Sequence, residues 1–332
     1  MILVVTPNPA VDVTYRVAEQ RIGETQRVLE VQRRPGGKGL NVGRVLAALD
    51  VPSRAVLPLG GTAGRWIADA LDALGLAHTD VAVAGETRTT VTVVDDAAHP
   101  TMFGEPGPAL DPLEWDAVAA AVDELLDGAD VLVVSGSLPG GTDPAVVACW
   151  VTAARAHGVR TVVDCSGPAL LAAATAGVTV CKPNREELLA ATGTDDERTG
   201  ALHLLARGAA VVVVSRGSDG IAAHTAEHVL EVPAVPGVSG NPTGAGDAAT
   251  AGLVRALVTD EDGTALHEQD DTGRYGGTPL DDATLLRALR SAAAHGAAAV
   301  LQPVAGEVDP ADVHRFLSGP PAPTSDRTRT PA

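Results

Sequence analysis

Five short β-branched runs, 2–5, 131–135, 161–164, 178–181 and 211–215, constrain this chain more than any other feature, because each is apolar with almost no polar alternation. A strand written that way is buried on both faces, as in a parallel sheet covered by helices. Stretches of helical periodicity, such as 115–126 and 144–156, separate the runs. The alternation predicts βαβ units and an α/β fold with a mostly parallel sheet. A length of 332 residues leaves room for one large domain or two smaller ones.

Two early stretches break the rhythm. Residues 13–34 and 87–101 lack it, and TRTTVTVVDD alternates Thr with Val as a half-exposed antiparallel strand does. Together they are expected to form one small sheet, a lid over the carboxyl ends of the main strands, where ligands of open α/β sheets bind. Residues 259–278 are acidic and Gly-rich, which reads as a solvated surface loop, and the Pro- and Thr-rich tail 319–332 reads as disordered.

The net charge of −18 repels phosphate backbones and anionic membrane faces, so neither nucleic acid nor membrane is an expected partner. An anionic ligand would have to be held by a few local cations and oriented N–H groups. Of the 24 basic side chains only Lys38 and Lys182 are lysines. A compact ammonium at a tight phosphate site is not imitated by the larger, planar guanidinium, which marks both positions for inspection. Cys149, Cys165 and Cys181 form no C-x-x-C pair and are expected to be buried thiols. With no basic leader and no apolar run near the ~18 residues of a membrane span, a cytoplasmic protein is expected.

The sharpest chemical signal is NPTGAGDAATAGL, a two-glycine turn entering an Ala-rich helix near Ala245. The N–H groups of Gly244, Ala245 and Gly246 can converge on an anion there, with Asp247 beside them in the first turn, where the helix dipole would hold it ionised. An anion hole next to a carboxylate suits phosphoryl transfer. The same residues also read as a plain turn with a dipole-favoured acid, and GAGDAA formally fits the dinucleotide pattern G-x-G-x-x-A. Against that pattern, VPAVPGVSGNPT carries prolines where a buried strand should precede the turn. RPGGKGLNVGRVL is a second glycine turn before a helix, with Lys38 and Asn41 at its start. It is either an anion or sugar site or a tight turn, and it is not a Walker A loop, because Gly39 stands where Ser or Thr would bind magnesium. In VCKPNREEL, Lys182 ends a strand and Asn184 caps a helix bearing Glu186 and Glu187, which is either a simple N-cap or a phosphate lysine beside an Asn-x-x-Glu pair for hydrated magnesium. Ser215, Gly217 and Gly220 form another glycine turn after a strand.

Taken in order, TPNPAVD, GGKGLNVGRVL, TRTTV, GEPGP, VSGSLPGG, KPNREEL, VSRGSDG and NPTGAGD resemble the ribokinase (phosphofructokinase B) family of sugar kinases. Within it they are most similar to the branch of 1-phosphofructokinase and tagatose-6-phosphate kinase, over about residues 1–318. The resemblance implies one three-layer α/β/α domain with a β-lid that often forms a homodimer. It also implies ATP and Mg²⁺ as cofactors and a sugar phosphate as substrate, with fructose 1-phosphate expected ahead of tagatose 6-phosphate and fructose 6-phosphate. It assigns Asp247 as base and Gly244, Ala245 and Gly246 as anion hole. Asp12, Gly37, Lys38, Asn41, Arg88 and Ser137 fall to the sugar-phosphate site. Lys182, Asn184, Ser215, Gly217 and Gly220 fall to the nucleotide, with Ala293, His295 and Gly296 as a wall near adenine. Glu187, with Asn184, would hold magnesium through water. The lid segment AAHPTMFGEPGP offers no second basic residue beside Arg88 for the substrate phosphate. An NAD-dependent dehydrogenase and a non-catalytic sensor on a kinase scaffold are the competing classes.

Overall fold

The computed structural model describes residues 1–95, 100–259 and 280–319. The expected acidic loop, beyond Thr259, and the tail, beyond Gly319, lie outside the described residues.

In chain order the strands are β1 (Ile2–Val5), β2 (Ala10–Arg16), β3 (Glu30–Gly36), β4 (Ser53–Leu59), β5 (His78–Ala82), β6 (Arg88–Val94) and β7 (Thr101–Gly104). They continue as β8 (Val131–Ser135), β9 (Arg160–Asp164), β10 (Val180–Cys181), β11 (Val211–Ser215), β12 (Ile221–His224) and β13 (Val229–Val232). The helices are α1 (Lys38–Ala48), α2 (Gly61–Ala73), α3 (Pro112–Leu126), α4 (Ala145–Ala156) and α5 (Gly167–Thr175). The rest are α6 (Arg185–Thr192), α7 (Glu197–Arg207), α8 (Ala245–Val258), α9 (Asp282–Val300) and α10 (Pro310–Leu317).

Nine strands form the main sheet in the order β13-β12-β11-β10-β9-β8-β1-β4-β5. Pairing is parallel from β5 through to β11, and β12 and β13 add an antiparallel edge. The five apolar runs are all here, at the middle of the sheet. β4, β5, β12 and β13 escape the pattern for local reasons: β4 contains Pro58, and β5 is an edge strand with only Val81 buried. In β1 the pleat divides the core, since Ile2 and Val4 face one helical layer and Leu3 and Val5 the other. The first layer holds α1, α8, α9 and α10, and the second holds α3 to α7. All four side chains are essentially solvent-free; burial of that kind contributes about 1.5–3 kcal/mol per side chain.

A separate sheet, β3-β2-β6-β7, makes the lid. β2 pairs antiparallel with β3 but parallel with β6, and β6 pairs antiparallel with β7. The lid is therefore larger than residues 13–34 and 87–101, running from Ala10 to Gly36 and from Arg88 to Gly104 around residues 96–99. Strand alternation gives it two faces: Val11, Val13 and Val91 pack toward Trp66 and Ile67 of α2, whereas Asp12, Thr14, Thr90 and Thr92 face a cleft. Cys165 and Cys181 are buried as expected, but Cys149 is exposed on α4. Among the described residues no helix is long and apolar enough to cross a membrane.

Candidate active site

The cleft, about 800 Å³, lies at the carboxyl ends of the parallel strands and beneath the lid. Successive strands deliver its floor: Gly136 and Ser137 after β8, Asp164 at the end of β9, Lys182 after β10 and Ser215 at the end of β11.

Helix α8 starts at Ala245, with Gly244 as its N-cap in a left-handed conformation, φ 82°. Only glycine fits, since a Cβ there would lie 2.7 Å from the Ala305 Cβ. No strand leads directly into this turn, as the prolines implied, because β13 ends at Val232. Gly244, Gly246 and Asp247 line the cleft. Ala245 does not: its N–H donates to the Pro242 carbonyl at 3.1 Å, so it cannot serve as a third free donor.

Asp247 is buried, and Asn41 Nδ2 donates to its Oδ2 at 2.8 Å. Burial, reinforced by the charge of Asp164, pushes its carboxyl up to about 7, against the opposing effects of Asn41, Lys38 and Lys182. The helix dipole favours the ionised group, as expected, and burial opposes it. A carboxylate poised near neutrality suits a general base better than a fully acidic one.

Asp164, which sequence reasoning did not single out, organises the floor. Its Oδ2 accepts from Thr250 Oγ1 at 2.8 Å and from Lys182 Nζ at 3.1 Å, and its Oδ1 faces Lys38 Nζ at 3.4 Å. Burial opposes its charge, yet Lys182 and Lys38 hold the carboxyl below the usual carboxylate range. Its only sequence signal is an acid closing an otherwise apolar strand on the ligand side of the sheet. Both lysines of the chain thus converge on one carboxylate, and Lys38 also reaches Glu187 Oε1 at 3.3 Å. Asp164 first, with Glu187, keeps Lys38 protonated well above its ordinary range. Lys38 lines the cleft with its ammonium set among these carboxylates at the floor.

The remaining assignments divide. Asp12, Gly37, Asn41, Arg88 and Ser137 line the cleft, as do Lys182, Asn184, Glu187 and Ser215. Asp12 accepts from Thr90 Oγ1, and burial raises its carboxyl pKa against the pull of Thr90, Arg88 and Arg44. Arg88 donates to the carbonyls of Asn8 and Glu105, each at 2.9 Å. Asn184 and Glu187 form a reciprocal capping box, with Glu187 N–H to Asn184 Oδ1 at 2.8 Å and Asn184 N–H to Glu187 Oε2 at 2.9 Å. The cap engages Glu187 Oε2, while Oε1 is the atom that meets Lys38 Nζ.

Gly217, Gly220, Ala293, His295 and Gly296 do not line the cleft. Gly220 lets the β11–β12 turn close against β13, since a Cβ there would meet the Val232 carbonyl at 2.2 Å. His295 is wholly buried between α8 and α9, its Nδ1 2.7 Å from the Ser291 carbonyl, and burial pushes its pKa down to about 4. Gly296 allows α9 close to the start of α8, where a Cβ would lie 3.3 Å from the Ala245 carbonyl. These α9 residues are helix-packing elements. Two arginines unforeseen in sequence, Arg34 of β3 and Arg44 of α1, enter the cleft instead.

The pattern of pfkB family carbohydrate kinases matches residues 6–312. The chain belongs to this family. Phosphofructokinase-2 from Escherichia coli in complex with fructose-6-phosphate is 28% identical, with a TM-score of 0.78 over 95% of this chain and 97% of that one. A possible 1-phosphofructokinase from Thermotoga maritima is 25% identical, with a TM-score of 0.77 over 96% and 97%. Arabidopsis thaliana ribokinase complexed with ribose and ATP, 20% identical with a TM-score of 0.69 over 96% and 99%, shows the shared ribokinase-like fold. This chain is accordingly a sugar kinase, and the dehydrogenase reading of GAGDAA falls away.

Proposed function

We propose that this sugar kinase transfers the γ-phosphoryl group of ATP to a primary hydroxyl of a ketohexose phosphate, with fructose 1-phosphate as acceptor and fructose 1,6-bisphosphate as product. The observation that carries the reading is Asp247, a buried carboxylate with its pKa pushed up to about 7, in the first turn of a helix whose first glycines border the same cleft. Asp247 takes the hydroxyl proton as the oxygen–phosphorus bond forms and the bond to the β-phosphate oxygen breaks, releasing ADP. Gly244 and Gly246 offer N–H groups to the transferring phosphoryl, and Lys38 and Lys182 offset charge on the donor.

Among the described residues no group of three or more metal-ligating side chains exists. Glu187 lines the cleft, and with its Oε1 turned from Lys38 to the water shell it would hold a magnesium ion carried mainly by nucleotide phosphates and water, the usual habit of that ion. Bound there, the ion would supply charge neutralisation between the phosphates.

Fructose 6-phosphate is the second reading, favoured by the 28% identity to phosphofructokinase-2. A coupled ADP-release assay over fructose 1-phosphate, fructose 6-phosphate, tagatose 6-phosphate, ribose and adenosine tests both. The highest kcat/KM on fructose 1-phosphate supports the first, and turnover confined to unphosphorylated sugars removes both. For the assembly we propose a homodimer through the lid, since Val31 and Phe103 expose apolar surface on its outer side; sedentation at micromolar concentration checks it by the mass observed.

A further inference from the structure

One carboxylate ties together two loops that border the cleft. Glu197, in the first turn of α7, accepts from Arg185 Nε at 3.0 Å, from Arg216 Nε at 2.9 Å and from His224 Nε2 at 2.8 Å. These partners belong to α6, to the turn after β11 and to β12. Each arginine also meets a second acid, Asp219 Oδ2 at 3.0 Å from Arg185 Nη1 and Glu231 Oε1 at 2.7 Å from Arg216 Nη1. Asp196, the residue before Glu197, caps α7 by accepting from the Thr199 N–H at 2.7 Å.

None of these side chains lines the cleft, but two of their neighbours do. Arg185 follows Asn184 and Arg216 follows Ser215, and those two cleft residues face each other in an isolated parallel bridge. The sheet gives that pair little support. β10 pairs with β11 only at Val180 and Cys181, and the ladder then meets Pro183, which has no N–H to donate. Past that point the Ser215 N–H donates to the Pro183 carbonyl at 3.2 Å, and Glu197 clamps the residues immediately behind. Arg216 meets it through both Nε and Nη2, which fixes the guanidinium in plane as well as in distance. Burial opposes the charge of Glu197, yet the bonds from His224, Arg216 and Arg185 hold its carboxyl well below the usual carboxylate range, so the clamp stays ionised at neutral pH.

We infer that Glu197 is a positioning residue for the nucleotide end of the cleft, acting through Arg185 and Arg216 to set how Asn184 and Ser215 face each other. The inference rests on the proposed kinase reading, in which magnesium and the donor phosphates sit at Glu187, the capping partner of Asn184. Glu197 itself touches no substrate. Its effect is on a separation: with the clamp released, the turn after β11 and the start of α6 part, and a donor that has to draw them together binds with lower net affinity. A purely structural network is the rival account, and it forecasts a lower melting temperature with donor and acceptor affected alike.

The test reads ADP binding by calorimetry, with no sugar present, beside KM values for ATP and fructose 1-phosphate and melting temperatures. Glu197→Gln keeps the volume of the side chain and removes its charge. It should weaken ADP binding and raise the ATP KM about tenfold, with the fructose 1-phosphate KM within about twofold. Arg216→Gln should give the same split, and the double variant should add little to either single one, since both break one link. Arg216→Gln also carries the test if Glu197→Gln does not fold. Unchanged ADP affinity in both variants would overturn the inference, as would KM values that rise equally for donor and acceptor. Failure of the kinase reading shows differently, as no turnover of any sugar or sugar phosphate by the parent, and the ADP titrations then still decide the role of Glu197. A parent that binds no ADP would overturn both.

Discussion

Asn41 Nδ2 lies 2.8 Å from Oδ2 of Asp247, so a residue of the first glycine-turn helix fixes the carboxylate of the last one. The two are 206 positions apart in sequence. That bond favours the ionised carboxylate, while burial and Asp164 favour the neutral acid. The catalytic reading depends on how this opposition balances near pH 7.

Asp247→Asn keeps the shape of the side chain and removes the basic oxygen. It is expected to lower kcat about 10²–10⁴-fold, the range for a positioned acid–base group. A turn-only role for Asp247 forecasts turnover nearly intact, so a kcat within threefold of the parent removes the assignment.

The same variant has a stability signature. The folded pKa of Asp247 is raised to about 7 from 3.8, so the folded state binds more protons and the parent loses stability as pH rises from about 4 through 7. Asp247→Asn is therefore expected to raise Tm by several degrees at pH 8 and by less at pH 5. Thermal melts at the two pH values check the sign.

The acid limb of kcat/KM should carry an apparent pKa near 7, since the base must be deprotonated in the free enzyme. Asn41→Ala removes the donor that stabilises the carboxylate and should move this limb to higher pH. A limb that stays in place, or moves down, means that Asp247 is not the group being titrated.

Asp164→Asn leaves Lys182 buried without its counter-ion, and breaking a buried pair costs about 3–5 kcal/mol. The folded pKa of Asp164 is depressed, so its contribution is complete above the unfolded value near 3.8 and is lost as pH falls through the folded pKa. Denaturant melts should show a large loss at pH 7 and a smaller one at pH 3. Equal losses at both values would mean that its charge is irrelevant.

Gly244→Ala places a side chain at φ 82° and against Ala305. A loss of about 1–3 kcal/mol is expected from the strained backbone, together with a fall in kcat as the turn shifts away from the phosphoryl group. Gly296→Ala, outside the cleft, should leave kcat within a few-fold.

Much of the architecture was legible in the chain itself. The inner strands announce themselves because burial on both faces leaves no room for polar alternation, and α8 begins at Ala245 because a glycine turn followed by alanines is a local instruction. Edge strands such as β5 were not legible, since one exposed side removes the compositional signal. The capping box of Asn184 and Glu187 was readable for the same local reason, being complete within four residues.

Long-range geometry decided the rest. His295 fits the sequence of an adenine wall, but helix packing buries it between α8 and α9, and the number of residues in a helical turn cannot say which neighbour it faces. Asp164 looked like the end of a strand until the fold brought both lysines to it. Arg34 and Glu307, 273 positions apart, meet only in the folded chain. The sequence by itself determined which segments become strands, helices and glycine turns, because those choices rest on interactions a few residues long. Only the tertiary structure decided the protonation of Asp247 and the partners of the cations, because solvent exclusion and Coulomb interactions depend on distance in space, not along the chain.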